Sequence, residues 1–287
     1  MEGNVLTQVL LPIALFIIML GMGLSLVIND FKRVMVYPKA VMIGLINQIL
    51  ILPIIAFSIA GLWEWSGALA VGLMILAVCP GGVTSNLISH ISRGDTALSV
   101  TLTAFSSLIT IITIPFILNF SLEHFMNEGQ AIQLNILKTI AQIVVITIIP
   151  ISIGMLIRAQ KPDFSDSMDR PVRILSVVFL ILIIVAAVIK EKEVLINNAI
   201  LVGSAALLLN ILTMGLGFIT SKILKLNLRQ SITISIESGI QNGTLAIAIA
   251  MSILGVGEMA IPGAIYSLIM FFTGGFFMFY FGRREAD

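Results

Sequence analysis

The chain has 287 residues, of which 58% are hydrophobic and 11% are charged, and its formal net charge is +1. A soluble domain of this size would not stay in solution with that composition, so the sequence predicts a protein whose solvent is a lipid bilayer. The near-neutral charge excludes the basic surface that a nucleic-acid partner requires. A single cysteine, Cys79, excludes a disulfide within the chain, and the sequence has no Cys/His cluster typical of a zinc or iron–sulfur centre.

Apolar stretches of about 20 residues, the length that spans a bilayer, recur along the whole chain with short polar connections. The pattern predicts an all-α polytopic membrane protein that forms a single domain over residues 1–287. The first stretch lacks the basic start and the cleavage pattern of a signal peptide, so we expect it to stay as a helix. The nine predicted transmembrane helices, A to I, cover about residues 4–28, 37–60, 67–91, 95–119, 133–158, 171–189, 195–220, 228–254 and 259–281.

Basic residues in the connections are distributed unequally between the two sides of the predicted bundle. Thirteen lysine and arginine residues fall on one side, against three on the other, namely Lys138, Lys190 and Lys192. Because cytoplasmic loops carry the excess of Lys and Arg, we predict an outside N-terminus and a cytoplasmic C-terminus in a cell membrane. Eight or ten spans would put both termini on one side, and the alternation of charge argues against both counts.

Two of the predicted helices are interrupted by polar residues and glycines. Helix C contains the run Cys79–Asn86, in which Pro80 removes a backbone donor and two glycines remove side-chain support for a helix. Helix H contains the run Glu237–Gly243, of which six residues are polar or glycine. Backbone groups freed at membrane depth are tolerated only where protein or a water-filled cavity satisfies them. Both breaks are therefore predicted to lie at a binding site.

Helix C is predicted to run inward and helix H outward, so the two breaks are related by inversion. Paired interrupted helices in corresponding places are typical of inverted-repeat transporters with a site near the membrane midplane. In this alignment helices A–D, residues 4–119, repeat as helices F–I, residues 171–281, and helix E, residues 133–158, is unpaired. Gln48 on helix B and Asn210 on helix G then also correspond.

Glu237 is the one charged side chain at membrane depth, away from the ends of the predicted spans, and a carboxylate there costs several kcal/mol unless it has a partner or a function. Gln241 lies four residues later on the same helical face, and Ser99 and Thr103 have the same spacing on helix D. With Ser85, Asn86 and freed carbonyl groups, these residues supply hard oxygen ligands of low total charge, which suits sodium better than a soft metal. Two bound monovalent cations would leave the pocket positive and attractive to an organic anion.

Each of these residues also has a purely structural interpretation. Serine and threonine in membrane helices commonly bond the backbone one turn earlier, as Ser99 and Thr103 could. Gln48 and Asn210 could join neighbouring helices, a contribution of about 1 kcal/mol each. Glu237 could be a protonated, hydrogen-bonded structural carboxyl group, although its cost at this depth favours the functional interpretation.

Two long motifs resemble those of the bile acid:sodium symporter family. The first is Cys79–Asn86, followed by Ser92-Arg93-Gly94-Asp95-Thr96-Ala97-Leu98-Ser99, and the second is Glu237–Ala246. The resemblance extends over essentially the whole chain. It implies a panel domain and a core domain, with the two discontinuous helices crossing in the core, and it implies two sodium sites. Nine spans resemble the animal members of the family in layout.

Site residues carried over from the resemblance fall into three groups. The first sodium site would be formed by Ser85, Asn86, Ser99, Thr103 and Glu237. The second would be formed by Gln48, Glu237 and Gln241 with the carbonyl groups of Ser238 and Ile240. The substrate would lie beside Thr84 and Asn242. Val83 and Thr84 stand where family members commonly have threonine and then alanine, so the polar side chain bordering the substrate is displaced by one position, which leaves the substrate undetermined.

The leading hypothesis is therefore symport of an organic anion with sodium by alternating access. An alternative is a proton-coupled or efflux carrier of the same fold with Glu237 as the proton relay. An intramembrane enzyme would need a nucleophile with a base, paired carboxylates or a metal site, and only one carboxylate lies at depth. A ligand-binding sensor is also compatible with the pattern, although the apolar stretches leave no room for a signalling domain. Bile acid-like, pantoate-like and keto acids are not distinguished, nor is the oligomeric state.

Overall fold

A computed structural model describes residues 11–63, 65–126 and 134–283, apart from the side chains of Asp169 and Arg173. Within these ranges the chain is nearly all helical, and its only β-type pairing is an isolated bridge between Gly81 and Gln241. The helices are α1 Leu11–Ser25, α2 Ile28–Lys32, α3 Pro38–Ile46, α4 Leu52–Leu62, α5 Gly67–Val78, α6 Val83–Ile91, α7 Thr96–Phe125, α8 Ile136–Ile143, α9 Ile149–Gln160, α10 Pro162–Lys190, α11 Lys192–Ile223, α12 Leu228–Gly239, α13 Gly243–Ala248 and α14 Ile261–Gly282.

Six helical stretches in the described ranges are long and apolar enough to cross a membrane, and the bent pair α1–α2 would make a seventh. The six are Pro38–Leu62, Thr96–Phe125, Ile136–Gln160, Pro162–Lys190, Lys192–Ile223 and Glu258–Gly282. Two shorter apolar helices, Gly67–Val78 and Gly243–Ile253, belong to the interrupted segments. The all-helical, multi-pass architecture is therefore confirmed, and the count of nine spans stays a prediction.

Several helix ends differ from the predicted ones. The helix α10 begins at Pro162 rather than at residue 171, and α7 continues to Phe125 rather than ending at residue 119. Both extensions are more polar than the spans they prolong. Hydropathy alone therefore places the start of α10 too late and the end of α7 too early. Pro162 is compatible with a helix start because the first turn needs no donor at that position. The predicted start of helix A, residues 4–10, and residue 133 of helix E lie outside the described residues.

Three helical stretches contain a π-helical turn, Asn47–Ile51, Val144–Ile148 and Ile249–Ile253. Pro53 and Pro150 follow the first two turns, and a proline removes one backbone donor and crowds the carbonyl one turn earlier. The wider hydrogen-bonding register accommodates that defect without ending the helix. One of these turns carries Gln48 at a buried position.

Two groups of helices pack around the interrupted segments. The helix α1 packs on α9 and α10, and Gly23 and Gly154 lie at its contact with α9. A methyl group on Gly23 would overlap the carbonyl of Ile151, and one on Gly154 would overlap that of Leu20, so small residues allow this close approach. The second group surrounds α5, which is buried along almost its whole length, as expected for a helix that is apolar on every face.

Candidate functional site

The two interrupted segments cross and pair with each other through their backbones. The helix α5 ends at Val78 and α6 begins at Val83, while α12 ends at Gly239 and α13 begins at Gly243. Across the crossing, the Gly82 amide donates to the carbonyl of Ile240 at 3.0 Å, and the Asn242 amide donates to the carbonyl of Pro80 at 2.9 Å. These bonds satisfy backbone groups that the unwinding frees at membrane depth.

The C-terminal end of α12 is held by side chains from two other helices. The carbonyl of Gly239 accepts hydrogen bonds from Asn210 Nδ2 at 2.8 Å and from the Tyr266 hydroxyl at 2.9 Å. Asn210 also donates to the Tyr266 oxygen at 3.1 Å. Because the last carbonyls of a helix have no intrahelical donor, Asn210 here satisfies the backbone beside the break. Sequence reasoning did not single out Tyr266, although a tyrosine hydroxyl within predicted helix I was a usable signal.

Glu237 is buried and lies among hydroxyl groups from two other helices. Its Oε1 accepts from Ser85 Oγ and from Ser99 Oγ, both at 2.5 Å, and its Oε2 accepts from Thr103 Oγ1 at 2.8 Å. Ser99 Oγ is also 2.8 Å from Asn86 Oδ1. The fold thus brings together the five residues predicted for the first sodium site.

This cluster has fewer donors than acceptors. The hydroxyl of Ser85 is within hydrogen-bond distance of both Glu237 Oε1 and the Gly82 carbonyl, the latter at 2.7 Å. Ser99 likewise faces both Glu237 and Asn86. A hydroxyl has one proton, so each serine can donate to only one of its two acceptors at a time. The arrangement is rich in oxygen atoms and short of positive charge.

The residues predicted for a second sodium site lie on another side of Glu237. Gln48 is buried in its π-helical turn, and neither its Nε2 nor its Oε1 has a partner among the described residues. A methyl group placed on Gly81 would lie 2.7 Å from Glu237 Oε2 and 3.0 Å from Gln48 Nε2. The missing side chain of Gly81 therefore leaves room where Gln48 and Glu237 converge.

The same crossing contains the other predicted ligands of the second sodium site, Gln241, Ser238 and Ile240. Some of their polar groups already form hydrogen bonds within the protein. Gln241 Nε2 donates to the carbonyl of Ser238 at 3.0 Å, and Gln241 Oε1 has no partner within the described part of the chain. The carbonyl of Ile240 accepts the Gly82 amide, but a carbonyl oxygen has a second lone pair.

A cavity of about 350 Å³ extends from the crossing between the two groups of helices. Its polar lining at the crossing comprises Thr84, Asn86, Gln241, Asn242 and Thr244. Asn242 Oδ1 accepts from the Leu245 amide at 3.0 Å, which caps α13, while its Nδ2 has no partner among the described residues. Apolar residues of α1 and α10, such as Ile18 and Leu180, form the facing wall. Thr84 and Asn242, the predicted substrate residues, thus line one cavity.

Crossed helix breaks, a buried carboxylate and a cavity between two helix groups are features of a membrane transporter rather than of an enzyme active site. In the described residues no three His, Cys, Asp or Glu side chains are grouped to hold a metal ion. The sequence model described as "Sodium Bile acid symporter family" matches residues 12–198, and the chain belongs to this family. The resemblance inferred from the two motifs is therefore confirmed.

Individual relatives agree with this assignment. The chain is 32% identical over 278 residues to the uncharacterized sodium-dependent transporter YocS of Bacillus subtilis (strain 168), covering 96% of this chain and 83% of the relative. It is 29% identical to the probable chloroplastic sodium/metabolite cotransporter BASS2 of Oryza sativa subsp. japonica, covering 96% of this chain and 64% of the relative. The hepatic sodium/bile acid cotransporter of Homo sapiens is 25% identical, with 96% of this chain and 77% of the relative covered.

Proposed function

We propose that the chain is a sodium-coupled symporter of an organic anion that works by alternating access. The observation that carries this proposal is the donor-poor oxygen cluster around Glu237, which lies at the crossing of two interrupted helices. The hydroxyl groups of the cluster cannot donate a hydrogen bond to every oxygen atom at once. A monovalent cation bound there would interact with the oxygen atoms that have no donor. Family membership supports sodium as that cation.

The first sodium ion would be bound by Glu237 with Ser85, Asn86, Ser99 and Thr103. These residues offer one carboxylate, one amide oxygen and three hydroxyl oxygens, all hard ligands, and they carry a single negative charge. Cation binding would require the serine hydroxyls to turn their protons toward Gly82 and Asn86. Both of those acceptors are already within reach, so the side chains need little movement.

The second sodium ion would be bound by Gln48, Glu237 and Gln241, with carbonyl groups of Ser238 and Ile240. Support comes from the unpartnered oxygens of Gln48 and Gln241, because a buried amide oxygen without a donor costs about 1–3 kcal/mol. A cation beside them would remove that cost. Sharing Glu237 also places the two ions close together, so their mutual repulsion is offset by the carboxylate and by the substrate anion, whose binding couples the two sites.

The substrate anion would lie in the cavity beside Thr84 and Asn242. Two sodium ions and one carboxylate leave a net positive charge next to this cavity, which favours an anion. The helix α6 begins at Val83, which lines the cavity beside Thr84, so the positive end of the helix dipole also lies at this end of the cavity. The apolar wall from α1 and α10 would contact the organic part of the substrate.

Transport requires that this region open alternately to the two sides of the membrane. We assign α1, α8, α9 and α10 to a panel and the remaining helices to a core, within a nine-span inverted repeat. The cavity lies between residues of these two groups, and their movement against each other would change which side it faces. The predicted orientation, with the N-terminus outside, puts the Arg158 end of the present cavity on the cytoplasmic side.

The decisive experiment is uptake by proteoliposomes with either a sodium or a proton gradient. A thermal-shift screen of organic anions in sodium and in potassium first identifies a ligand, because a ligand that binds the folded state raises its apparent stability. We expect sodium to drive uptake, and the Glu237→Ala variant to insert but not transport. With two sodium ions per monoanion, one net charge crosses per cycle, and an inside-negative potential contributes about 2.3 kcal/mol per 100 mV. Uptake that follows a pH gradient and ignores sodium would instead support the proton-coupled carrier.

A further inference from the structure

The end of the cavity formed by the connection between α9 and α10 contains a charged pair that the proposed sodium and substrate sites do not use. Arg158, near the end of α9, forms an ion pair with Asp166 in the first turns of α10 and donates to the Pro162 carbonyl at 3.3 Å. Both charged residues line the cavity, and His90 is the one other titratable residue in its described lining. At the opposite, crossover end, the polar side chains in the described lining are neutral.

Ser165 lies beside this pair and also lines the cavity. Its exposed fraction is only 2%, and its hydroxyl has no hydrogen-bond partner among the residues described. A buried hydroxyl without a partner is unfavourable, so most such groups are satisfied by protein, water or a ligand. Ser165 precedes Asp166, the partner of Arg158, and lines the same cavity as Arg158, so its hydroxyl and the guanidinium group are two donors suited to an oxyanion.

Asp166 is a counter-ion that a ligand could replace at little cost. Its side chain is 67% exposed, whereas that of Arg158 is 25% exposed. Ion pairs with a solvated partner contribute little to stability, because water already stabilises the free carboxylate. A carboxylate arriving from the cavity would approach the more buried partner, Arg158, and leave Asp166 in water.

We propose that Arg158 and Ser165 form an anion subsite for a carboxylate or sulfonate group of the transported molecule, which takes the place of Asp166. The ligand's identity rests on the proposed function, but the subsite itself rests on the cavity and its donors. The transported molecule would then carry its anionic group toward the α9–α10 end and present hydroxyl, carbonyl or amide groups to Thr84 and Asn242. Asp166 would hold Arg158 in place when no anion is bound and would disfavour weakly bound anions.

The subsite can be tested without knowing the substrate, by reaction of an introduced cysteine with charged thiol reagents. The variant Ser165→Cys is reacted, in the full chain, with 2-sulfonatoethyl and with 2-trimethylammonioethyl methanethiosulfonate. Each rate is divided by the rate of that reagent with a free thiol. We expect the normalised rate to favour the sulfonate reagent roughly tenfold, the ratio that about 1.4 kcal/mol of attraction produces. Adding Arg158→Gln should remove this preference, and adding Asp166→Asn should increase it.

A second arginine provides the matched control. Arg170 is exposed on α10 and does not line the cavity, so adding Arg170→Gln should leave the preference unchanged. If Ser165→Cys does not fold, Asp166→Cys is a solvent-exposed alternative beside Arg158 that reads the same electrostatic attraction. A preference that persists in the Arg158→Gln background, or a cysteine that reacts with neither reagent, would overturn the proposal.

The outcome is separable from that of the proposed function. Sodium coupling is measured as the difference in unfolding temperature between sodium and potassium, and it depends on the cluster around Glu237. The reagent preference depends on Arg158 and is measured without transport. No sodium response in the wild type together with the expected reagent preference in Ser165→Cys would contradict the symport proposal alone, and the reverse result would contradict the subsite alone.

Discussion

The hydroxyl of Ser85 lies 2.5 Å from Oε1 of Glu237, although the two residues are 152 positions apart in the chain. This contact joins α6 to α12 directly beneath the crossing, where the backbones already pair through Gly82 and Ile240. The ion pairs found among the described residues involve Asp30 with Arg33 and Asp166 with Arg158, so the Glu237 carboxylate is not part of one. Its hydroxyl neighbours can donate hydrogen bonds to it but do not neutralise a charge.

Replacing Glu237 by glutamine should abolish the effect of sodium on stability. Wild-type protein should unfold at a higher temperature in sodium than in potassium at equal ionic strength, because sodium binds the folded state. At a sodium concentration 100 times the Kd, the gain in unfolding free energy is about 2.7 kcal/mol for one site. Glu237→Gln keeps the shape of the side chain but removes the charge, so its unfolding temperature should be the same in both salts.

The control for this variant is Glu193→Gln, which alters an exposed glutamate in the first turn of α11. It should keep the full sodium response. Equal sodium responses in Glu237→Gln and wild type would remove Glu237 from both cation sites and contradict the coupling mechanism.

Gln48 and Asn47 are neighbours in one π-helical turn, and we expect their substitutions to have opposite effects. Gln48→Leu removes two unpartnered polar atoms, so the protein should fold, and the Hill coefficient for sodium should fall from about 2 to about 1 because one of two sites is lost. Asn47 instead donates to the Ile43 carbonyl at 2.8 Å and to Thr220 Oγ1 at 3.0 Å. Asn47→Leu should lower the free energy of unfolding by about 1–3 kcal/mol and keep the cooperativity.

Sodium titrations of ligand-dependent unfolding temperature, carried out on both variants, measure these effects. An unchanged Hill coefficient in Gln48→Leu would show that the second ion, if any, binds elsewhere.

Gly81→Ala should weaken sodium binding by at least tenfold, since the added methyl group would lie 2.7 Å from Glu237 Oε2. Such a contact is too short, so the carboxylate must move and the oxygen ligands no longer converge. Gly215→Ala is the matched control, because a methyl group there meets no atom within 4 Å. In the middle of α11 that change should raise stability by up to about 1 kcal/mol and leave sodium affinity unaltered. Equal sodium affinities in the two variants would argue against ion binding next to Gly81.

Composition and the residues that interrupt the apolar stretches predict the membrane class, the helical architecture and the family. Each of these properties requires particular residues in the sequence. A bilayer requires long apolar stretches, and an interrupted membrane helix requires proline, glycine or polar residues such as Pro80 and Glu237. Helix ends were less predictable, as in α10, because the polar segment beginning at Pro162 continues the helix beyond the apolar part. Hydropathy contains no information about where such a continuation stops.

Tertiary contacts explain the remaining differences. Gln48 and Asn210 correspond in the predicted repeat, yet Asn210 bonds the Gly239 carbonyl and Gln48 has no partner in the described chain. Two residues at corresponding positions of a repeat can have different hydrogen-bond partners, because the neighbouring helices differ in sequence. Arg158 was counted only as a loop charge, because its pairing with Asp166 and its place in the cavity depend on how α9 and α10 fold back on α1. The π-helical turns likewise leave no compositional signal, apart from the prolines that follow two of them.

Asn242→Asp should reduce anion transport while preserving the fold and the sodium response. Aspartate caps a helix as well as asparagine does, so the hydrogen bond from the Leu245 amide is retained. The change replaces an unpartnered amide donor in the cavity by a negative charge, so it removes a hydrogen bond to a polar group of the substrate and repels the anion across the cavity. Transport of the anion found in the thermal-shift screen should therefore fall at least tenfold in kcat/KM.

The matched control is Asn227→Asp, at the exposed cap of α12, where the side chain accepts from the Gln230 amide at 2.9 Å. This variant introduces the same charge outside the cavity and should transport normally. Wild-type transport by Asn242→Asp would place the substrate away from this residue.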